Sequence, residues 1–251
     1  MGRIAQIWRH PIKAHGREAI VNARLEKGRA LPFDRQWAIA HAGAVLRNAP
    51  DGWHPCTNFS RGASSPLLQA ITSSFDVATN TLTLTHPMKP GITVNPDLEQ
   101  DQARLIDWVT GFTPSGRPAP VSVIKAPNAM TDSQTVSLSL LNLASNDAVA
   151  DRLGQEISPL RWRSNLLVAG LAPWEERGWV GKDIRIGTAR FHIRKEITRC
   201  RMTEANPDTG IRDANTLAAL RDGWGIQEMS VHAVVTQSGD IAVDDEIEVL
   251  T

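Results

Sequence analysis

One hairpin signature limits what this chain can become. In Ile184-Arg185-Ile186, Gly187-Thr188, Ala189-Arg190-Phe191-His192-Ile193, apolar and polar residues alternate on both sides of a glycine turn. A period of two means paired strands with one face buried. The pattern recurs. Phe75-Asp76-Val77 and Leu82-Thr83-Leu84 flank an Asn80-centred turn, and Val231 to Val235, Ile241 to Val243 and Ile247 to Val249 close the chain around Ser238-Gly239-Asp240. Ile4 to Trp8, Val21 to Leu25, Gln36 to Ala40, Val121 to Ile124 and Asn165 to Val168 read as further short strands. Residues 42–65 are rich in Gly, Asn, Pro and Ser and read as loop. Many short strands with few helices imply a β-rich α+β protein built on a barrel or sandwich, not a doubly wound sheet.

Helices are expected in three places. Asn95-Pro96-Asp97 supplies a cap, a first-turn proline and an acid, followed by Leu98, Leu105, Ile106 and Val109 and ended by Gly111. Ser137 or Ser139 is expected to cap a helix running to about Leu153, and Thr216 to Leu220 is a third, short one. Thr113-Pro114-Ser115-Gly116-Arg117-Pro118-Ala119-Pro120 is the linker candidate, dividing the chain into residues 1–115 and 116–251.

Lys+Arg and Asp+Glu are both 27. Zero formal charge argues against wholesale binding to nucleic acid or a membrane surface. No long apolar run and no signal-peptide pattern is present, so the cytoplasm is the expected compartment. Gly-x-Gly-x-x-Gly, Walker, Cys-x-x-Cys, His-Glu-x-x-His and Gly-x-Ser-x-Gly motifs are all missing.

Two cysteines, Cys56 and Cys200, are too few for a four-thiolate iron–sulfur cluster. A redox role would draw electrons from another protein or a soluble reductant. Cys56 reads as structural. Cys200, between Arg199 and Arg201, is the candidate reactive or metal-ligating thiol, because flanking positive charge lowers a thiol's pKa. Arg161-Trp162-Arg163-Ser164-Asn165 borders an apolar strand, and arginine suits bidentate anion contacts. A helix start at Ser137 or Ser139 and Lys13 in its Pro/Gly loop would add to an anion site. Arg185, Arg190 and Arg194 read as solvated charges.

Ordered through the chain, His10-Pro11-Ile12-Lys13-Ala14, Asp34-Arg35-Gln36-Trp37, Arg161-Trp162-Arg163-Ser164-Asn165, Glu175-Glu176-Arg177-Gly178-Trp179 and Arg199-Cys200 with Asn206-Pro207-Asp208-Thr209-Gly210 resemble a known series. It is that of MOSC domain proteins with the preceding MOSC-associated β-barrel domain, as in the amidoxime-reducing enzymes and their bacterial relatives. The MOSC domain also ends molybdenum cofactor sulfurase, whose pyridoxal-phosphate part has no counterpart expected in this length. Ala14, Ser164 and Asp244 depart from the family's usual Ser, Pro and Gly.

The resemblance implies a MOSC-type barrel after a smaller barrel-like domain, and a molybdenum–pyranopterin cofactor. It makes Cys200 the metal ligand and catalytic residue. Lys13, Arg35, Arg163 and Asn165 become cofactor-binding residues, with Ser137 or Ser139 near the phosphate. It further implies an oxidoreductase acting on small N-hydroxylated substrates, with an external iron–sulfur or flavin electron-donor protein. The alternatives are a sulfur or cofactor carrier using Cys200 without catalysis, and a binding module that has lost the cofactor.

Overall fold

Alternation of buried and exposed residues governs the strands of the computed structural model, which describes residues 1–46 and 52–250. The expected loop at 42–65 therefore lies partly outside the described residues. In chain order the strands and helices are β1 (Arg3–Arg9), β2 (Glu18–Ile20), β3 (Asn22–Leu25), β4 (Trp37–His41), β5 (Thr72–Asp76), β6 (Thr81–His86), β7 (Lys89–Val94) and α1 (Glu99–Thr110). There follow β8 (Pro120–Lys125), β9 (Leu138–Asn142), α2 (Leu143–Leu153), β10 (Leu166–Ala169), β11 (Asp183–Ile186), β12 (Ala189–Thr198), α3 (Thr216–Trp224), β13 (Glu228–Gln237), β14 (Gly239–Ala242) and β15 (Ile247–Val249). No helix among the described residues is long and apolar enough to cross a membrane.

The largest sheet has eight strands in the order β15-β11-β12-β13-β9-β10-β1-β2. It closes on itself. Arg3 bridges Glu246, Ile4 N–H donates to the Asp245 carbonyl at 2.9 Å, and Ile247 N–H donates to the Gly2 carbonyl at 2.8 Å. The first strand thus joins the last stretch of chain, and the sheet becomes a barrel. Ile4, Ile7, Leu140, Leu166, Val168, Ile184, Ile186, Phe191, Val231 and Val235 fill it, all 1% exposed or less. On the outside, α2 and α3 pack around Trp162, Val149 and Leu220.

A second unit carries its own core. β4 pairs with β8, β5-β6-β7 form a meander, and α1 lays Leu105, Trp108 and Val109 against Trp37, Ile39, Leu82 and Leu84. The sequence division at 115/116 falls just before β8. Backbone pairing crosses it in both directions, since β1 pairs with β10, β3 with β14, and β4 with β8.

Three expectations change. Ser137 and Ser139 cap no helix. Leu138 and Leu140 are buried on alternate positions of β9, a strand hydrogen-bonded on both sides, by β13 and β10. The helix begins at Leu143, where the Asn142 side chain accepts from Ala144 N–H at 3.0 Å. Asn95 is likewise no helix cap. Its side chain accepts from Asp97 N–H at 3.0 Å in a local turn, and α1 starts at Glu99. Strand β7 carries Pro90 and Gly91, which obscure it in sequence, and it is tolerated because β7 is an edge strand.

Gly187, in the hairpin between β11 and β12, has φ +55°, and a Cβ there would press into the Asp240 carbonyl oxygen. Gly225 ends α3 at φ +68° with open space around it. Alanine at Gly225 should cost only the left-handed strain of about 1–2 kcal/mol. Alanine at Gly187 should cost a further ~1–3 kcal/mol from the clash. Urea midpoints of the two variants check this, and equal losses would contradict the packing described.

Candidate functional site

Three backbone features deliver side chains to one place. The 3-10 turn Pro159–Trp162 is capped by Ser158, whose Oγ accepts from Leu160 N–H at 3.3 Å, and it ends in a left-handed Arg163 with φ 49°. That turn aims the guanidinium inward just before β10. The loop after β1 is pinned by Lys13 N–H donating to the Trp37 carbonyl at 2.8 Å, so Lys13 follows suit. Past the end of β12, Thr203 Oγ1 donates to the Cys200 carbonyl at 3.1 Å and Arg199 N–H to the Gln227 carbonyl at 2.9 Å, fixing the cysteine.

The result is a cavity of about 500 Å³ lined by every residue singled out above: Lys13, Arg35, Ser137, Ser139, Arg163, Asn165 and Cys200. Most of the polar groups among them already have partners. Lys13 Nζ donates to the Met130 carbonyl at 3.1 Å and to the Asp132 carboxylate. Arg35 donates to Asp34 and, at 2.9 Å, to the Arg163 carbonyl. Asn165 accepts from Ser139 N–H and Oγ, both at 3.1 Å, and donates to the Trp8 carbonyl at 3.1 Å, stitching β9, β10 and β1 together. Ser137 Oγ lies 2.8 Å from His232 Nδ1. Lying just before β9, it offers no helix N-terminus to an anion.

Arg163 is different. It is 6% exposed, and neither Nη1 nor Nη2 has a partner. Burial, then the neighbouring charges of Arg35 and Arg17, hold its pKa well below the ordinary arginine value. Arg199 is half-committed: Nε donates to the Met229 carbonyl at 2.7 Å and Nη1 to the Trp162 carbonyl at 2.8 Å, while Nη2 is buried without a partner. Burial draws its pKa down to about 9. Arg161, its neighbour in sequence to Arg163, is tied to Asp213 at 2.5 Å.

Cys200 is a free, exposed thiol on the cavity wall. The expected lowering of its pKa does not occur. The protein around the sulfur removes enough water to push the thiol up, and Asp132 adds to this, whereas Met202 N–H and Arg199 act the other way. Arg201 contributes nothing there, because its Nε turns away to Glu204 at 3.1 Å. Arg185, Arg190 and Arg194 are exposed on the outer barrel face, as solvated charges should be. Cys56 shares the cavity and accepts from Arg61 Nη1 at 3.4 Å. His232, Asp132 and Arg61 carried no sequence signal; only the topology brings them here.

The unpartnered guanidinium groups fit a bound anion. The Cys200 thiol fits a soft metal, but no cluster of three or more His, Cys, Asp or Glu that could hold a metal occurs among the described residues. A metal here would need further ligands from a cofactor. That donor set matches the molybdenum–pterin expectation.

Two family models match the chain. The MOSC N-terminal beta barrel domain matches residues 1–120, and the MOSC domain matches residues 127–248. The chain is a MOSC domain protein. This MOSC protein is similar to molybdenum cofactor sulfurase of Caenorhabditis briggsae, with 34% identity over 101 residues, 39% of this chain and 14% of the other. It is also similar to mitochondrial amidoxime-reducing component 1 of Mus musculus, with 24% identity over 120 residues, 48% of this chain and 35% of that one. The match thus spans a minor part of both relatives. The YUAD protein from Bacillus subtilis shares the fold, with TM-score 0.50 and 14% identity over 99% of this chain and 96% of that chain. The family assignment associates the MOSC protein with the molybdenum cofactor. It also rationalises two departures. Asp244 sits at φ 72°, a conformation that favours the usual glycine, and Ser164 Oγ lies 3.0 Å from Ser230 Oγ, a contact proline lacks.

Two predictions follow from the buried charges. Arg163→Met removes a buried cation without a hydrogen-bond partner at Nη1 or Nη2, so in anion-free buffer its unfolding free energy from urea titration should equal or exceed the wild type's, by up to ~1–4 kcal/mol. Inorganic phosphate should stabilise the wild type and leave the variant unmoved; a destabilised variant that still responds to phosphate would refute this role. His10 and His15 are fully buried, and burial above all holds their pKa values at about 3 and about 4. Below pH 6.5 the unfolded chain takes up protons that the folded chain refuses. Stability should therefore fall from about pH 6.5 toward pH 4, by ~1.4 kcal/mol per pH unit for each ring. Urea unfolding at pH 7, 6 and 5 measures the slope, and a flat profile would count against it.

Proposed function

We propose that this chain binds a molybdenum–pyranopterin cofactor and reduces small N-hydroxylated molecules, using electrons from an external iron–sulfur or flavin protein. One observation carries the reading: a buried guanidinium with both terminal nitrogens unpartnered, at Arg163, lines the same cavity as the exposed Cys200 thiol. An anionic tail and a soft metal on one ligand would satisfy both.

In this reading Arg163 grips the phosphate, which offsets the cost of its burial. Lys13, paired with Asp132, would share that anion by exchanging its partner. Cys200, whose thiol pKa burial pushes up, would hold the metal as the thiolate. Arg199, fixed by two backbone carbonyls, directs its remaining N–H groups beside the thiolate. The cofactor, when bound, supplies a centre able to exchange two electrons and an oxygen atom. Trp162 and the barrel strands form the wall that orients the substrate. The likeness to an amidoxime-reducing protein supports the substrate class.

The test is production in a host that synthesises the cofactor. Molybdenum and pterin should be near stoichiometric in the wild type and should be lost in Cys200→Ser, with no change in far-ultraviolet circular dichroism. An amidoxime should then be turned over with a chemical reductant. Protein free of both metal and pterin would sink the reading, and cofactor retained without turnover would turn it into a carrier.

A further inference from the structure

The cavity wall carries one imidazole. His232 stands on β13, opposite Ser139 of β9 and Lys195 of β12, and lines the same space as Cys200. Ser137 Oγ is 2.8 Å from its Nδ1 and 3.4 Å from the Thr135 carbonyl oxygen. This chain suits a charged ring: Nδ1–H donates to Ser137, whose hydroxyl donates on to Thr135. No hydrogen bond to Nε2 occurs among the described residues. Asp132, the acid beside Cys200, is paired with Lys13.

Reducing N–OH to N–H breaks an N–O bond and takes two electrons and two protons, releasing water. We propose that His232, braced by Ser137, hands one of those protons from Nε2 to the departing oxygen, and that it is charged for this only when an anion fills the cavity. The inference rests on the oxidoreductase reading above. The electrons come from the donor protein, the second proton from solvent, and the ring is reprotonated by water.

The charge coupling has a direct cause. Burial first, then Arg199, Lys195, Arg194 and Arg35, hold His232 at about 4, so the ring is neutral at pH 7. Ser139 of β9 and Ser137 just before it, which face the ring, carry no charge. An anion on the arginines offsets their repulsion and lets the ring take up its proton.

Two arms test this. In cofactor-free protein, the His232 resonance is assigned by its loss in His232→Gln and titrated with and without inorganic phosphate as the probe. The midpoint should lie near 4 without phosphate and rise by about one unit or more at saturation. A midpoint that phosphate does not move overturns the coupling. In protein loaded in a cofactor-producing host, His232→Gln should keep wild-type molybdenum and pterin but lose ~10²-fold in kcat for an amidoxime, with KM little changed. Added imidazole should restore part of the rate of His232→Ala. Wild-type turnover by His232→Gln, or loss of its cofactor, overturns the proton-donor role while leaving the oxidoreductase reading intact. A wild-type chain without molybdenum defeats both, and is recognised from metal content alone.

Discussion

Everything in the site hangs on how the barrel closes. Ile4 N–H donates to the Asp245 carbonyl and Asp244 N–H donates to the Ile4 carbonyl, each at 2.9 Å. Without these bonds the start of β1, which β2 does not reach, and the end of the chain would each carry unpaired backbone groups. Closure fixes the register of β1 against β10, where Ile7 faces Leu166. Lys13 leaves the end of β1, and Arg163 and Asn165 enter β10. Because those strands are locked together, residues far apart in sequence line one cavity.

The same closure gathers charge. The chain is neutral overall, yet Lys13, Arg35, Arg61, Arg161, Arg163 and Arg199 all line the cavity, with Asp132 among them. A core built only for stability would not keep Arg163 buried without a partner, since an apolar side chain of similar size would serve better. Such a conflict between local cost and retention is expected where a ligand completes the structure. Asp34 shows the opposite solution. Burial alone would raise its pKa, but Arg35 and the hydrogen bonds from His10 hold it well below the usual carboxylate range. One buried charge is compensated by hydrogen bonds within the chain; the other has two terminal nitrogens without a partner.

Much of the site could be read from the sequence because its parts are locally marked. Cys200 sits between arginines, Lys13 lies in a Pro-containing loop, and Arg163 borders an apolar strand. The errors came where local signals conflict with tertiary pairing. Ser137 and Ser139 look like helix caps, but the barrel needs a strand between β13 and β10, and Leu138 and Leu140 satisfy it. The flanking arginines promised an acidic thiol. Arg201 faces Glu204 instead, and burial outweighs Arg199. His232 looked like one more residue of a β run, and nothing in its neighbours hinted at Ser137.

The alternating runs therefore determined by themselves that this chain would be strand-rich, because a period of two can bury only one face of a sheet. Residue chemistry also determined that a thiol and several cations were available. Only the tertiary structure decided that the sheet closes, that Arg163 keeps two unpartnered nitrogens while Lys13 and Arg35 do not, and that His232 and Asp132 share their space with Cys200. Partnering and proximity are set by strand register across more than 200 residues, and no local pattern encodes that distance.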